Sequence, residues 1–402
     1  MEEEKPLAGE GVTVPPTPHF VIDVVIKERK LTFEEASQCL NTLGKDESGV
    51  RYAYLMITAR EKKLTDVSTI LNFKHVLFLD LGGNHLDLNA LQVLSGMAFL
   101  IYLKAERNRV ESAALDPMHY LQVLILSMNQ ITETCDINQP LLENLELAEN
   151  LIYTVQFDAE RLANLKFLNL KANHLIDLSG TFPPCLERLY VAQNDIIKLN
   201  MDCYNLRNLR ILHLRDNNIR KLNGFTEELE HLTYLNVRGN KIHKVRQFRK
   251  LACLPRLDTL ILLENPLYGL PEAQQDEEAP KGEEDEEAAE DEEEAEGEEE
   301  PTPVDKMRLP LLVLLPRLKR INKEPVRFEE KEAAEAAKKK IEEDIYAEES
   351  SEEETEMPTT TDFTTDYTTE TEMDKEEEEE EEDEERGENE DVTERTDSIV
   401  PT

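Results

Sequence analysis

Leu165-Lys166-Phe167-Leu168-Asn169-Leu170-Lys171-Ala172-Asn173-His174-Leu175 follows the pattern L-x-x-L-x-L-x-x-N-x-L, and Leu209-Arg210-Ile211-Leu212-His213-Leu214-Arg215-Asp216-Asn217-Asn218-Ile219 repeats it. The pattern occurs nine times, ending on Asn84, Asn108, Asn129, Asn150, Asn173, Asn194, Asn217, Asn240 and Asn265, at spacings of 24, 21, 21, 23, 21, 23, 23 and 25 residues. Only the second copy is visibly degenerate, with Ala105 in place of its third leucine. Residues two apart in a strand point to one face. The paired leucines therefore face a core that no single turn can close, and successive turns must stack. The reading is an α/β solenoid with a parallel β-sheet on the concave face and short helical or irregular convex segments. Each asparagine stands where the chain leaves the strand, and its amide is expected to satisfy the backbone of that turn and its neighbour as an asparagine ladder.

Outward from the repeats, the pattern predicts a degenerate first strand at Tyr52–Ile57, with Leu55 and Ile57 inward and Arg60 in the asparagine position. Ahead of it, Thr32 and Glu35 form a capping-box pair opening a helix expected to run to about Leu43 and stop near Gly44, as an N-terminal cap. At the other end, Leu309–Ile321 is apolar with a basic close and belongs with the fold as a C-terminal cap. The segment plan is a flexible stretch over 1–29, the capped solenoid over 30–270, an acidic disordered insertion over 271–303, the C-terminal cap over 304–326, a helix over 327–346 and a disordered acidic Thr/Glu-rich tail over 347–402.

The formal net charge is −42, but it is unevenly spread. Pro271–Glu300 holds 18 acidic residues against one basic, and Glu342–Thr402 holds 29 against three, leaving 40 acidic and 41 basic residues elsewhere. Runs such as Glu376–Glu382 repel themselves and bury nothing, so they cannot offset the entropy of ordering. This balance disfavours nucleic acid as a partner. No run reaches the roughly 20 apolar residues of a membrane helix, and Met1–Glu10 lacks the basic and apolar regions of a secretory signal. Cys39, Cys135, Cys185, Cys203 and Cys253 form no C-x-x-C pair and read as small buried hydrophobes of an intracellular, reducing compartment.

Chemistry is not legible in the sequence. There is no G-x-x-x-x-G-K-[ST], H-E-x-x-H or G-x-S-x-G. The acidic runs lack the ordered ligand spacing of a calcium loop, Gly82-Gly83 reads as a permissive turn, and His213 has no nucleophile beside it. No enzyme, cofactor, metal or small-molecule substrate is expected. The informative surface is the concave one, whose outward positions read Phe78, Tyr102, Val123, Asn144, Phe167, Arg188, Ile211, Tyr234 and Thr259, then Asp80, Lys104, Ile125, Glu146, Asn169, Tyr190, His213, Asn236 and Ile261. Exposed aromatics with arginine are the composition of binding hot spots. Phe167, Arg188, Tyr190, Arg210, Arg215, Tyr234 and Arg238 are the candidate protein-binding residues.

The runs Tyr190-Val191-Ala192-Gln193-Asn194, Leu212-His213-Leu214-Arg215-Asp216-Asn217 and Tyr234-Leu235-Asn236-Val237-Arg238-Gly239-Asn240 carry a family resemblance. So do Leu260-Ile261-Leu262-Leu263-Glu264-Asn265-Pro266 and Leu315-Pro316-Arg317-Leu318-Lys319-Arg320-Ile321. Over about Lys30–Glu330 the chain resembles the leucine-rich-repeat proteins of the radial spoke in motile cilia and sperm flagella. That resemblance implies a non-catalytic structural component of the axoneme, cytoplasmic and cytoskeletal, with other spoke subunits as partners. The alternative is an acidic leucine-rich-repeat regulator of nucleus or cytoplasm, phosphatase-binding or histone-chaperone-like, although here threonines dilute the acidic tail and acid interrupts the cap.

Overall fold

The computed structural model describes residues 27–45, 49–268 and 307–353. The acidic insertion and the far tail of the segment plan lie outside them. The chain divides into two compact units, 1–345 and 346–402, and the described part of the second is the end of one helix.

Among the described residues a thirteen-stranded sheet runs along the solenoid. Nine three-residue strands belong to the nine asparagine repeats: β3 (Phe78–Asp80), β4 (Tyr102–Lys104), β5 (Val123–Ile125), β6 (Asn144–Glu146), β8 (Phe167–Asn169), β10 (Arg188–Tyr190), β11 (Ile211–His213), β12 (Tyr234–Asn236) and β13 (Thr259–Ile261). All pair in parallel and in register, with Leu79, Leu103, Leu124, Leu145, Leu168, Leu189, Leu212, Leu235 and Leu260 in one buried row. The next leucine row is buried as well, and Ala105 occupies its gap with no exposed surface. On the convex side the chain returns through turns, short helical pieces such as α2 (Leu88–Gln92), and a two-stranded pairing of β7 (Val155–Gln156) with β9 (Gly180–Thr181).

The nine asparagines are buried. Asn173 is typical: its Nδ2 donates to Leu170 O at 3.0 Å and Lys171 O at 3.3 Å in its own turn and to Leu147 O at 3.0 Å in the turn before. Its Oδ1 accepts the Ile152 N–H at 3.1 Å. The preceding residue is left-handed in every repeat: Gly83, Arg107, Met128, Glu149, Ala172, Gln193, Asp216, Gly239 and Glu264 all have positive φ. That conformation costs an L-residue about 1–2 kcal/mol. It swings the amide under the backbone, where the hydrogen bonds offset it.

Both ends differ from the sequence reading. The capping box is present, with Glu35 N–H donating to Thr32 Oγ1 and Thr32 N–H to Glu35 Oε2, each at 3.2 Å. The helix α1, however, is only Phe33–Gln38, not a run to Leu43. Leu40–Lys45 is instead β1, antiparallel to β2 (Tyr52–Thr58). An uncovered β2 would leave a row of backbone donors and acceptors without partners, and β1 supplies them. Gly44 serves this strand rather than a helix stop: a Cβ there would stand 2.4 Å from Leu55 Cδ1.

The first repeat is also out of phase with its expected reading. Ile57 pairs with Leu79, so Ala59 takes the place of Leu81 and Lys62, not Arg60, takes that of Asn84. Glu61, with φ 55°, then matches the left-handed position. Ile57 is fully buried but Leu55 only half so.

The C-terminal cap consists of α3 (Arg308–Leu314), β14 (Arg320–Ile321), which extends the parallel sheet, and β15 (Glu324–Pro325), which closes it antiparallel. The linking Asn322 and Lys323 have φ 54° and 72°, the signature of a two-residue type I′ hairpin. Arg308 is buried beneath it, donating to Glu330 Oε1 at 2.7 Å, Glu324 Oε2 at 3.1 Å and the carbonyls of Ile321 and Pro325. The last helix, α4, runs from Phe328 to Glu353. It thus continues seven residues into the stretch assigned to the disordered tail, five of them alanine or glutamate, both good helix formers.

The cysteines are less uniform than expected: Cys203 is buried, Cys39, Cys135 and Cys253 are half-buried, and Cys185 is exposed. Among the described residues no helix is long and apolar enough to cross a membrane.

Candidate protein-binding face

Each three-residue strand turns its middle leucine inward and its first and third residues to the concave face. Register lines these outward residues up across the repeats: Phe167, Arg188, Ile211 and Tyr234 in one row, Asn169, Tyr190, His213 and Asn236 in the other. Aromatic contacts bridge the two rows. Phe167 meets Tyr190 edge-on at 5.1 Å between centroids, Tyr190 meets His213 at 4.3 Å, and His213 stacks on Tyr234 at 4.9 Å. The Arg188 guanidinium lies over the Phe167 ring at 4.9 Å, a cation–π contact. Burial pushes the Tyr190 and Tyr234 hydroxyls above their ordinary range, so both stay protonated donors. The ladder fixes the backbone beneath the array and ring contacts hold its side chains, and a preorganised surface binds at less entropic cost.

Of the candidate residues, Phe167, Arg188, Tyr190 and Tyr234 come together in this array. Arg210 is exposed at the entry edge, 3.7 Å from Glu187. Arg215 and Arg238 sit at the exit edge. Both are half-buried, Arg215 Nε lying 3.2 Å from Asp216 Oδ2 and Arg238 donating to Glu264. Arg238 holds the Glu264 carboxyl below its usual range, whereas burial raises Asp216. These arginines are partly neutralised, as Arg210 is by Glu187, and the cation at the centre of the face is Arg188 over the Phe167 ring. His213, which joins the two tyrosines, is the residue the candidate set left out; its place between Tyr190 and Tyr234 was legible only by reading down a column of repeats.

The same column reading exposes a charged cluster over the first repeats. Arg60 bridges Asp80 at 3.2 Å and Glu106 at 2.6 Å, and Lys104 reaches Glu106 at 3.1 Å. Burial raises the Glu146 carboxyl beyond it. Beside the strand entries, Leu55, Leu77, Phe99, Ile101 and Tyr120, with Lys45 and His75, line an open groove of about 210 Å³. Among the described residues no group of three His, Cys, Asp or Glu side chains is placed to hold a metal.

Fold and face together define a leucine-rich-repeat protein, a solenoid class whose extended concave surface suits protein binding, and the leucine-rich-repeat family model matches residues 184–242 and 207–267. Human leucine-rich repeat-containing protein 23 is 39% identical over 238 residues, covering 59% of this chain and 68% of that protein. The bovine protein of that name is 37% identical over 238 residues, with the same coverage. The mouse protein is 42% identical over 228 residues, 56% of this chain and 66% of its own length. The chain belongs to the leucine-rich repeat-containing protein 23 family. Among solved structures, a leucine-rich-repeat protein of Leptospira interrogans is 21% identical with a TM-score of 0.40, covering 64% of this chain and 63% of its own.

Proposed function

We propose that this chain is a scaffold of the radial spoke in motile cilia or sperm flagella, holding a neighbouring spoke protein on its concave face. The observation that carries the docking role is the continuous Phe167–Tyr190–His213–Tyr234 array with Arg188 stacked at its end. Large aromatic surface, one guanidinium and two phenol donors on an unbending backbone suit a permanent joint more than a switch. The spoke assignment rests on family membership and on the resemblance carried by the late repeats and the cap. The Arg188 guanidinium at the centre of the face favours a partner surface that is partly acidic.

The test replaces Arg188 and Tyr190 by Ala and Ser in the full chain expressed in ciliated cells. Both residues face outward, so the melt should stay within a few degrees of the parent. The variant should wash out of isolated axonemes at a salt concentration that retains the parent. Equal retention would remove the concave face as the docking surface. Failure to find the parent in axonemes would remove the spoke reading itself and favour the acidic-regulator alternative.

A further inference from the structure

Beyond the ladder the chain leaves the sheet along one flank, and this flank is regular too. Asp195 N–H donates to Leu175 O, Asn218 N–H to Ile196 O and Lys241 N–H to Ile219 O, each at 2.9–3.0 Å, which holds consecutive post-asparagine segments side by side. The third residue after each ladder asparagine therefore forms a column: Tyr153, Ile176, Ile197, then Arg220. Tyr153, Ile176 and Ile197 are 57, 59 and 54% exposed. Large apolar side chains at the same position in three successive repeats form a stripe rather than scattered surface residues. Tyr153 is held in place by stacking on His174, 5.1 Å between centroids. At the C-terminal end of the stripe the chemistry changes to cationic: Arg220 continues the column, and Lys198 and Lys221 stand in the adjacent one, all exposed and in no ion pair among the described residues.

We infer that this flank is a second docking surface, separate from the concave face, which takes an amphipathic acidic helix of a partner protein along the solenoid axis. Neighbouring repeats are about 4.8 Å apart, the spacing of paired strands. A helix brings side chains i, i+4 and i+7 to one face over about 10.5 Å of its axis, or about 5.3 Å per step, close enough to meet Tyr153, Ile176 and Ile197 in succession. An extended peptide repeats a face about every 6.8 Å and falls out of step within three repeats. Carboxylates one or two turns further along such a helix would lie against Lys198, Arg220 and Lys221.

The test titrates the full chain with a fluorescent 18-residue alanine-based helical peptide carrying Leu at positions i, i+4 and i+7 and Glu through its last two turns, read by anisotropy. It should bind about tenfold or more tightly than either a scrambled peptide of the same composition or one with Lys for Glu. Ile176→Ser with Ile197→Ser, and separately Arg220→Glu with Lys221→Glu, should each weaken binding about tenfold while the melt holds; the concave Arg188/Tyr190 variant should bind as the parent does. Two independent pairs, one apolar and one charged, keep the outcome readable if either variant folds poorly. Equal affinity for the scrambled peptide, indifference to both pairs, or preference for a single-stranded RNA of equal charge would overturn the assignment. If binding emerges only after deletion of residues 271–303 or 354–402, the occupant is this chain's own acidic sequence, and an external partner helix is overturned.

Discussion

Replacing Asn173 by Ala separates the ladder from a set of local turn bonds, because the structure tells which groups each choice strands. The three carbonyls that Asn173 serves all keep another donor: Leu147 O receives Asn150 Nδ2, Leu170 O receives Asn194 Nδ2, and Lys171 O receives the Glu149 N–H. Only the buried Ile152 N–H loses its acceptor. One stranded buried donor costs about 1–3 kcal/mol, or about 2–5 °C in the melt of a chain this size. Asn265 ends the series and no later rung backs it up. Its loss strands Leu262 O as well as the Ile242 N–H, whereas Val237 O and Leu263 O remain served. Asn265→Ala should therefore cost about twice as much as Asn173→Ala, about 2–6 kcal/mol. Urea unfolding of the full chain gives the two free energies, and amide exchange at Ile152 and Ile242 locates the opening. A larger loss for Asn173→Ala, or unchanged exchange at both amides, would refute the shared-acceptor account.

Two further outcomes follow from the backbone and the cap. Gly224 has φ 108°, and a Cβ there would stand 1.8 Å from Leu199 O; Gly224→Ala should destabilise by about 2–3 kcal/mol, more than Gly49→Ala, where φ is 69° but nothing lies within 4 Å of the new atom. The hydrogen bond from Arg308 holds the Glu330 carboxyl below its usual range, so its contribution is present above the unfolded value of about 4.3 and lost as pH falls through the lower folded one. Amide protection of Leu311 and Leu315 in the cap should thus fall in that acid window in the parent and show no Glu330-dependent step in Glu330→Gln; identical profiles would refute the role of the pair.

The paired leucines made the nine strands and their inward faces legible, because a two-residue alternation admits one orientation at a buried sheet. The first strand was misphased because Arg60 stands at a plausible distance from Asn84, while the residue that fills the core there, Ala59, carries little hydrophobic signal. Backbone pairing decides it. The left-handed residue ahead of each asparagine was hinted at by Gly83 and Gly239 but hidden at Arg107, Met128 and Glu149, where the ladder bonds override local preference. Both terminal hairpins were invisible for a related reason: β1 and β15 form to cover backbone edges, and an edge leaves no periodicity in the segment that covers it. The concave residues were placed by spacing, but their stacking crosses from one row to the other, a diagonal that only coordinates give.

The rungs also have a direction. Every asparagine accepts from, and donates to, the turn made before it, as Asn173 does with Ile152 and Leu147. On the ribosome each newly made turn thus carries the group that completes its predecessor, so the open groups of one turn are met by the very next turn synthesised. At roughly 5–20 residues per second, a turn of this size waits about one to five seconds for its closing amide. Only the last turn has no successor, and the segment that returns to close it, with Arg308 at its core, is synthesised after the whole acidic stretch has passed.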